Sequence, residues 1–367
     1  MDLTLIQNIP VLSIDFIQKL KKSNQFEFSP LVQSLTSIGS EINMGFSCYA
    51  AKAFLISREW DKLSELDKFN WAESLLAYQD FENKNFKNYF IDPKVLNYFD
   101  KRFTKFKFKK IAKKTLFNIK GLELEPIEKH IFKTINAENK QTLSTLIDLG
   151  AEVKTNPDIS LNSYKNISDY LNSYNWDYPW DAGAQFSSMC LYSNCLKLNY
   201  DEELLSFIES KIDSETGSYF NNTPSEPRQI INGAMKVLSG LDWINEKVHL
   251  PNKLIDFCLE NKPKFEGCDL VDYIYVLYRC SLESNHRRSE IEKVCYEVLD
   301  FLLLLYHKES SGFSYFINKS QTHYYGIKIS NGKNEPDLHG TLLSMWCIVM
   351  ILKIIEKNIF DYKVIKP

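Results

Sequence analysis

Residues 228–243, RQIINGAMKVLSGLDW, decide the fold. Ile231, Ala234, Val237, Leu238 and Leu241 recur at helical spacing and fall on one stripe, so the segment is a helix with a single buried face. Residues 251–260 (PNKLIDFCLE) supply a more amphipathic helix that pairs with it, and residues 268–280 (CDLVDYIYVLYRC) open the next apolar one. The same phrase recurs along the chain. Apolar helices start near Met44, Glu138, Asp181, Arg228, Cys268 and Leu338, and from Glu138 to Cys268 the intervals are 43, 47 and 40 residues, the length of a helix pair. Six such pairs predict an all-α chain forming a closed (α/α)6 toroid, a barrel of inner and outer helices in which the inner helix starts surround one mouth.

The flanking segments fit around that core. Residues 1–40 read as an N-terminal helical cap opened at Pro30, and residues 45–59 (GFSCYAAKAFLISRE) as the first inner helix, answered by Leu63 to Tyr78. An irregular insertion spans about 83–121. Within it Lys101–Lys120 carries nine Lys or Arg in twenty residues, interleaved with Phe103, Phe106, Phe108 and Phe117. This pattern serves either as a surface for an anionic partner, such as a membrane face or acidic glycan, or as a solvated face whose phenylalanines pack inward. Asn139 to Leu149 ends at Gly150, a helix terminator. Strand signals are confined to residues 312–316 and 325–329, which predict one short hairpin. The whole of 1–367 is read as a single toroid domain.

Composition narrows the function classes. Charged residues are 25% and the net charge is -3, so no nucleic acid partner is expected, because that surface is usually basic. The eight cysteines, Cys48, Cys190, Cys195, Cys258, Cys268, Cys280, Cys295 and Cys347, contain no CxxC pair and lie mostly in apolar helical stretches. They read as reduced thiols of a cytoplasmic protein, with no metal site and no cofactor expected. The opening Met1 to Ile17 carries Asp2 and breaks at Gln7, Asn8 and Pro10, unlike a secretory signal. The longest apolar stretch, Leu342 to Ile355, is too short to span a bilayer. P-loop, dinucleotide-binding, HExxH and GxSxG motifs are absent.

Aromatic content is high, at 14%, which suits an aromatic-lined cavity. The polar groups at the predicted mouth are Trp176, Asp177, Trp180, Asp181, Gln185, Glu226, Arg228, Asn232, Asp269, Asp272, His323, Tyr324, Tyr325, Asp337 and His339. Flat rings stack on sugars, while carboxylates and amides hydrogen-bond hydroxyls. Two mechanisms suit this set. Hydrolysis needs a carboxylate pair from Asp181, Asp272 and Asp337. Elimination or epimerisation needs acid and base from His323, Tyr324 or His339, with Arg228 and Asn232 neutralising a carboxylate. Asp181, Asp269 and Asp337 serve equally as helix caps.

Two further stretches carry a family resemblance. Leu270-Val271-Asp272 opening one helix and Asp337-Leu338-His339-Gly340-Thr341 opening the last, with the turns Gly217-Ser218-Tyr219-Phe220 and Gly312-Phe313-Ser314-Tyr315, make residues 176–355 similar to the terpenoid cyclase and protein prenyltransferase toroids. The resemblance implies roles for Asp272 and His339. Ile274 stands where the prenyltransferases have a zinc-binding cysteine, and the DxDD run of class II cyclases is absent. The architecture also resembles polysaccharide lyases, unsaturated glucuronyl hydrolases and sugar epimerases, and as a whole suggests an uncharacterised bacterial family connected with surface polysaccharide. The expectation is an enzyme acting on a carbohydrate or glycoconjugate as hydrolase, lyase or epimerase. The alternatives are an isoprenoid-handling, terpene cyclase-like or prenyltransferase-like enzyme and a non-catalytic binding or scaffold toroid.

Overall fold

The computed structural model describes residues 2–22, 26–101, 127–159, 164–221 and 226–367. They are mostly helical: α1 (Leu3–Lys19), α2 (Met44–Ile56), α3 (Glu65–Leu76), α4 (93–101), α5 (Ile127–Asp148), α6 (Ile167–Asn172), α7 (Pro179–Leu196), α8 (Asp201–Glu209), α9 (Pro227–Trp243), α10 (Pro251–Glu260), α11 (Gly267–Glu283), α12 (Arg288–Leu305) and α13 (Leu338–Ile354). Pro179, Pro227 and Pro251 each open a helix at its first turn, where a missing N–H costs nothing. No helix among the described residues is long and apolar enough to cross a membrane.

Six helices make a cycle of contacts. α2 packs on α5, α5 on α7, α7 on α9, α9 on α11, α11 on α13, and α13 returns to α2. α2 and α13 are apolar on all sides and almost wholly buried, as helices with neighbours all round must be. The tightest pairing, α7 with α9, depends on Gly233, where a Cβ would lie 2.6 Å from the Pro179 ring. Around these lie the amphipathic helices: α1 on α13 and α2, α3 on α2 and α5, α8 on α7, α12 on α13 and α11.

Several local expectations change. α10 packs mainly against α11, which follows it, and not against α9, because its buried residues Leu254, Ile255 and Cys258 face that helix. Glu138 does not open a helix. It sits in the middle of α5, whose earlier turns mix the polar run 128–130 with Ile131, Phe132 and Ile135, which pack in a small cluster of their own. The N-terminal segment is helical only to Lys19, then forms a hairpin of Lys21–Lys22 with Glu27–Phe28. Pro30 opens no helix; its carbonyl accepts from the Leu338 amide. The predicted hairpin is two: Gly312–Phe313 pairs with Tyr306–His307, and Ile327–Lys328 pairs with His323–Tyr324. Of the basic run Lys101–Lys120, all but Lys101 lies outside the described residues.

Candidate functional site

A cavity of about 410 Å³ opens among the six helices, and every one of them lines it. α2 gives Tyr49 and Lys52, α5 gives Lys133, Asn136, Lys140, Gln141 and Ser144, and α7 gives Gln185 and Ser188. α9 contributes Met235, Lys236 and Ser239, α11 Cys268 and Asp272, and α13 His339, Leu342, Leu343 and Trp346. Gln321, Tyr324 and Tyr325 reach in from the hairpin before α13, and Ile365 and Pro367 from the C-terminal segment. Along α13 the wall changes from polar at His339 to apolar at Leu342, Leu343 and Trp346.

Its charge is lopsided. Four lysines line it against one side-chain carboxylate among the described residues, Asp272. Lys133 pairs with Asp181, whereas Lys52, Lys140 and Lys236 have no ion pair among the described residues. The Lys52 ammonium donates to Ser144 Oγ at 2.9 Å. The Lys140 ammonium donates to Ser187 Oγ at 2.7 Å, and Ser187 is bonded to Ser239 at 2.6 Å. Burial, reinforced by the fields of Lys236 and Lys52, brings Lys140 down to about 7. Burial lowers Lys52 as well, against the pull of Asp148. Unsatisfied positive charge in an enclosed space is an anion site in electrostatic terms.

Asp272 stands across from these lysines in the first turns of α11. It is 3% exposed, and its Oδ2 has no hydrogen-bond partner among the described residues. Burial pushes its carboxyl up to about 6, while Lys236 opposes the shift. A carboxylate held near that range can accept or return a proton at neutral pH. His339 lies flat against Tyr49, with centroids 4.6 Å apart and planes at 9°, and leaves Nδ1 without a partner. Burial and the Lys236 charge drive it down to about 3, so its imidazole is neutral.

The hairpin that supplies Tyr324 and Tyr325 is anchored below the wall. Tyr324 is 2% exposed and its hydroxyl donates to Glu138 Oε1 at 3.2 Å. It fits only because residue 45 is glycine; a Cβ there would lie 2.0 Å from that hydroxyl. Burial raises the Glu138 carboxyl well above its usual range. Asp337 holds the loop itself. It caps α13, accepting from Gly340 N at 2.8 Å, Tyr315 N at 2.8 Å and Gln321 N at 3.0 Å. Burial lifts it to about 7 against those three amides.

The structure therefore divides the residues singled out from sequence. Asp272, His339, Gln185, Tyr324 and Tyr325 line the cavity. Asp337 is fully buried beside it with its oxygens committed to backbone amides, a cap and loop anchor. Asp181 points outward and holds Lys133. His323 is exposed on the hairpin, bonded to Thr322 at 3.0 Å. Trp176 offers no stacking face: it is fully buried, donating to Leu171 O at 3.0 Å and packing on Phe207. A separate cluster forms at the starts of α7, α9 and α11. There Arg228 lies 5.0 Å over the Trp180 ring and pairs with Asp269 at 2.7 Å, and Asn232 donates to the same carboxylate at 2.7 Å. Glu226 is exposed just before α9. Residues 222–225 adjoining it lie outside the described residues.

The lysines and Tyr49 were missed. A trace shows only at Lys52, which interrupts the apolar run 44–56; Lys140 and Lys236 sit on helix faces that the fold turns inward. A cation on a buried helix face without an acidic partner is rarely structural. Among the described residues no group of three or more His, Cys, Asp or Glu is placed to hold a metal ion. Compared with family models, curated proteins and solved structures, the chain matches none.

Proposed function

We propose that the six contacting helices are the inner ring of an (α/α)6 toroid, and that its cavity is the active site of an enzyme acting on a carbohydrate or glycoconjugate that carries an anionic group. The observation that carries this reading is the trio Lys52, Lys140 and Lys236 facing one cavity without ion pairs, opposite a single carboxylate. The return of α13 to α2 supports closure of the ring. Tyr49, Tyr325 and Trp346 supply ring faces for a sugar, and Asn136, Gln141 and Gln185 supply amides for its hydroxyls. The eight unpaired cysteines suit a cytoplasmic setting.

The reaction best supported is elimination or epimerisation. Two-carboxylate hydrolysis requires a second acid, and Asp181 and Asp337 are turned to Lys133 and to backbone amides. In the proposed step the Asp272 carboxylate takes a proton from a carbon beside a carbonyl or carboxylate of the substrate. The C–H electrons pass into that group, where the lysine field stabilises the negative charge. They then either expel a leaving group on the adjacent carbon or return to a proton delivered on the opposite face, from Tyr325 or the Lys140 ammonium. An isoprenoid substrate would ask for a hydrocarbon wall in place of four lysines, and a scaffold would have no use for an open cavity.

Epimerisation returns a solvent-derived hydrogen to the substrate carbon, whereas elimination leaves a carbon–carbon double bond in the product. The test is incubation with acidic sugars and their oligosaccharides in heavy water, read by mass spectrometry for deuterium and by ultraviolet absorbance for the double bond. Deuterium uptake or an unsaturated product that disappears in Asp272→Asn supports the assignment. Hydrolysis with neither signal, or a signal indifferent to Asp272→Asn, removes it.

A further inference from the structure

We propose that the anionic group held in this cavity is a phosphoryl group, so that the ligand is a sugar phosphate. The inference rests on the reading of the cavity as a carbohydrate site and specifies its anion. Three features of the wall carry it.

The first is donor count. An ammonium has three N–H donors. Lys52 uses one on Ser144 and Lys140 one on Ser187, while the Lys236 ammonium makes no hydrogen bond among the described residues. Two, two and three donors are thus open toward the cavity. A carboxylate offers about four acceptor sites in one plane, too few to fill them, whereas a phosphate monoester presents three strongly accepting oxygens in a tetrahedral array. The second is shape. All cations lining the cavity are lysines, with no planar guanidinium fork to match a carboxylate edge on; point charges delivered from α2, α5 and α9 converge from three directions, as a tetrahedral anion asks. The third is charge balance. With Lys133 paired to Asp181, the side chains of the wall leave three ammonium groups against Asp272, an excess of two positive charges that a phosphate dianion matches and a carboxylate does not.

The serines set this up without competing for the ligand. Ser144 Oγ donates to Gln141 O at 2.9 Å and Ser239 Oγ to Lys236 O at 2.8 Å. Their protons are used on backbone carbonyls, so Ser144 accepts from Lys52, and Ser239 anchors the Ser187 hydroxyl that accepts from Lys140. The Lys52 and Lys140 ammonium groups are tethered in place and keep their remaining hydrogens for an anion.

The experiment is isothermal titration at pH 6.5 with glucose 6-phosphate, glucuronate and glucose, on the native chain and on Lys52→Met, Lys140→Met and Lys236→Met. Glucose 6-phosphate binding at least tenfold tighter than glucuronate, weakened about tenfold or more by each variant, is the expected result. Because a variant could fail to fold, the ³¹P resonance of glucose 6-phosphate is also titrated with the native protein. A bound signal whose phosphate stays dianionic below its free pKa supports the assignment. Glucuronate binding as well as or better than the phosphate ester would overturn the phosphoryl inference while leaving the acidic-sugar reading in place. Failure of both acidic ligands to bind would overturn both.

Discussion

Replacing Lys140 by methionine should stabilise the protein and disarm it at once. The methionine keeps the unbranched stem along the wall and removes the ammonium that burial, Lys236 and Lys52 push from 10.5 to about 7. At about 1.36 kcal/mol per pH unit, that displacement is worth about 5 kcal/mol against the folded state when the group is charged in both states. The head faces an open cavity, where solvent screening removes about half, leaving ~2–3 kcal/mol. The sign follows from linkage. Between pH 7 and 10.5 the unfolded chain holds the proton that the folded one has released, so native stability rises with pH through this window. The penalty is complete below pH 7, and the variant's advantage is largest there. Calorimetric melting at pH 6 should place Lys140→Met about 2–5 °C above the native chain, with the gap shrinking toward pH 10. Ligand-induced stabilisation should be lost in the same variant. A variant that melts lower at pH 6, or a gap that ignores pH, would refute the reasoning that the ammonium is held against the fold's preference.

Asp272→Asn should reduce turnover by about a hundredfold or more while leaving the melting temperature at pH 7 unchanged or raised, as steady-state rates and melting on the same preparation would reveal. The Asp272 carboxyl, pushed to about 6, favours the protonated folded state, so native stability should fall as pH rises from about 4 to 6. Activity should accordingly peak between about pH 6 and 7, where Asp272 is ionised and Lys140 still charged, and a pH–rate profile checks it. Asp337→Ala strips three backbone amides of their acceptor and should destabilise by about 3 kcal/mol, measured by urea unfolding. Gly45→Ala forces Tyr324 off Glu138 and should weaken ligand binding without removing any cavity charge, seen by titration calorimetry.

The helical class was legible because the stripe of residues 231–241 and the unbroken apolar runs of α2 and α13 depend only on local periodicity. The helix starts at Met44, Arg228, Cys268 and Leu338 fall within one residue of the observed ones, two of them marked by Pro227 and by the Asp337 cap. α5 starts eleven residues before Glu138, because its first turns interleave Ile131, Phe132 and Ile135 with charged residues and pack on a separate small cluster. Site residues were legible where chemistry coincides with a helix start, as at Asp272 and His339. They were illegible where a long side chain reaches the cavity from mid-helix: Lys52, Lys140 and Lys236 look like interruptions until α2, α5 and α9 are brought together. Trp176 and Asp337 mislead for the opposite reason. Their residue types suit a sugar site, but tertiary contacts turn one into the core and the other onto backbone amides.

The most direct measurement is a crystal structure of the protein with glucose 6-phosphate. The account predicts density in the cavity, with the phosphoryl oxygens among Lys52, Lys140 and Lys236 and a sugar carbon within reach of Asp272. An empty cavity, with ligand bound instead at the half-buried Trp180 beside Arg228 or nowhere, would contradict it.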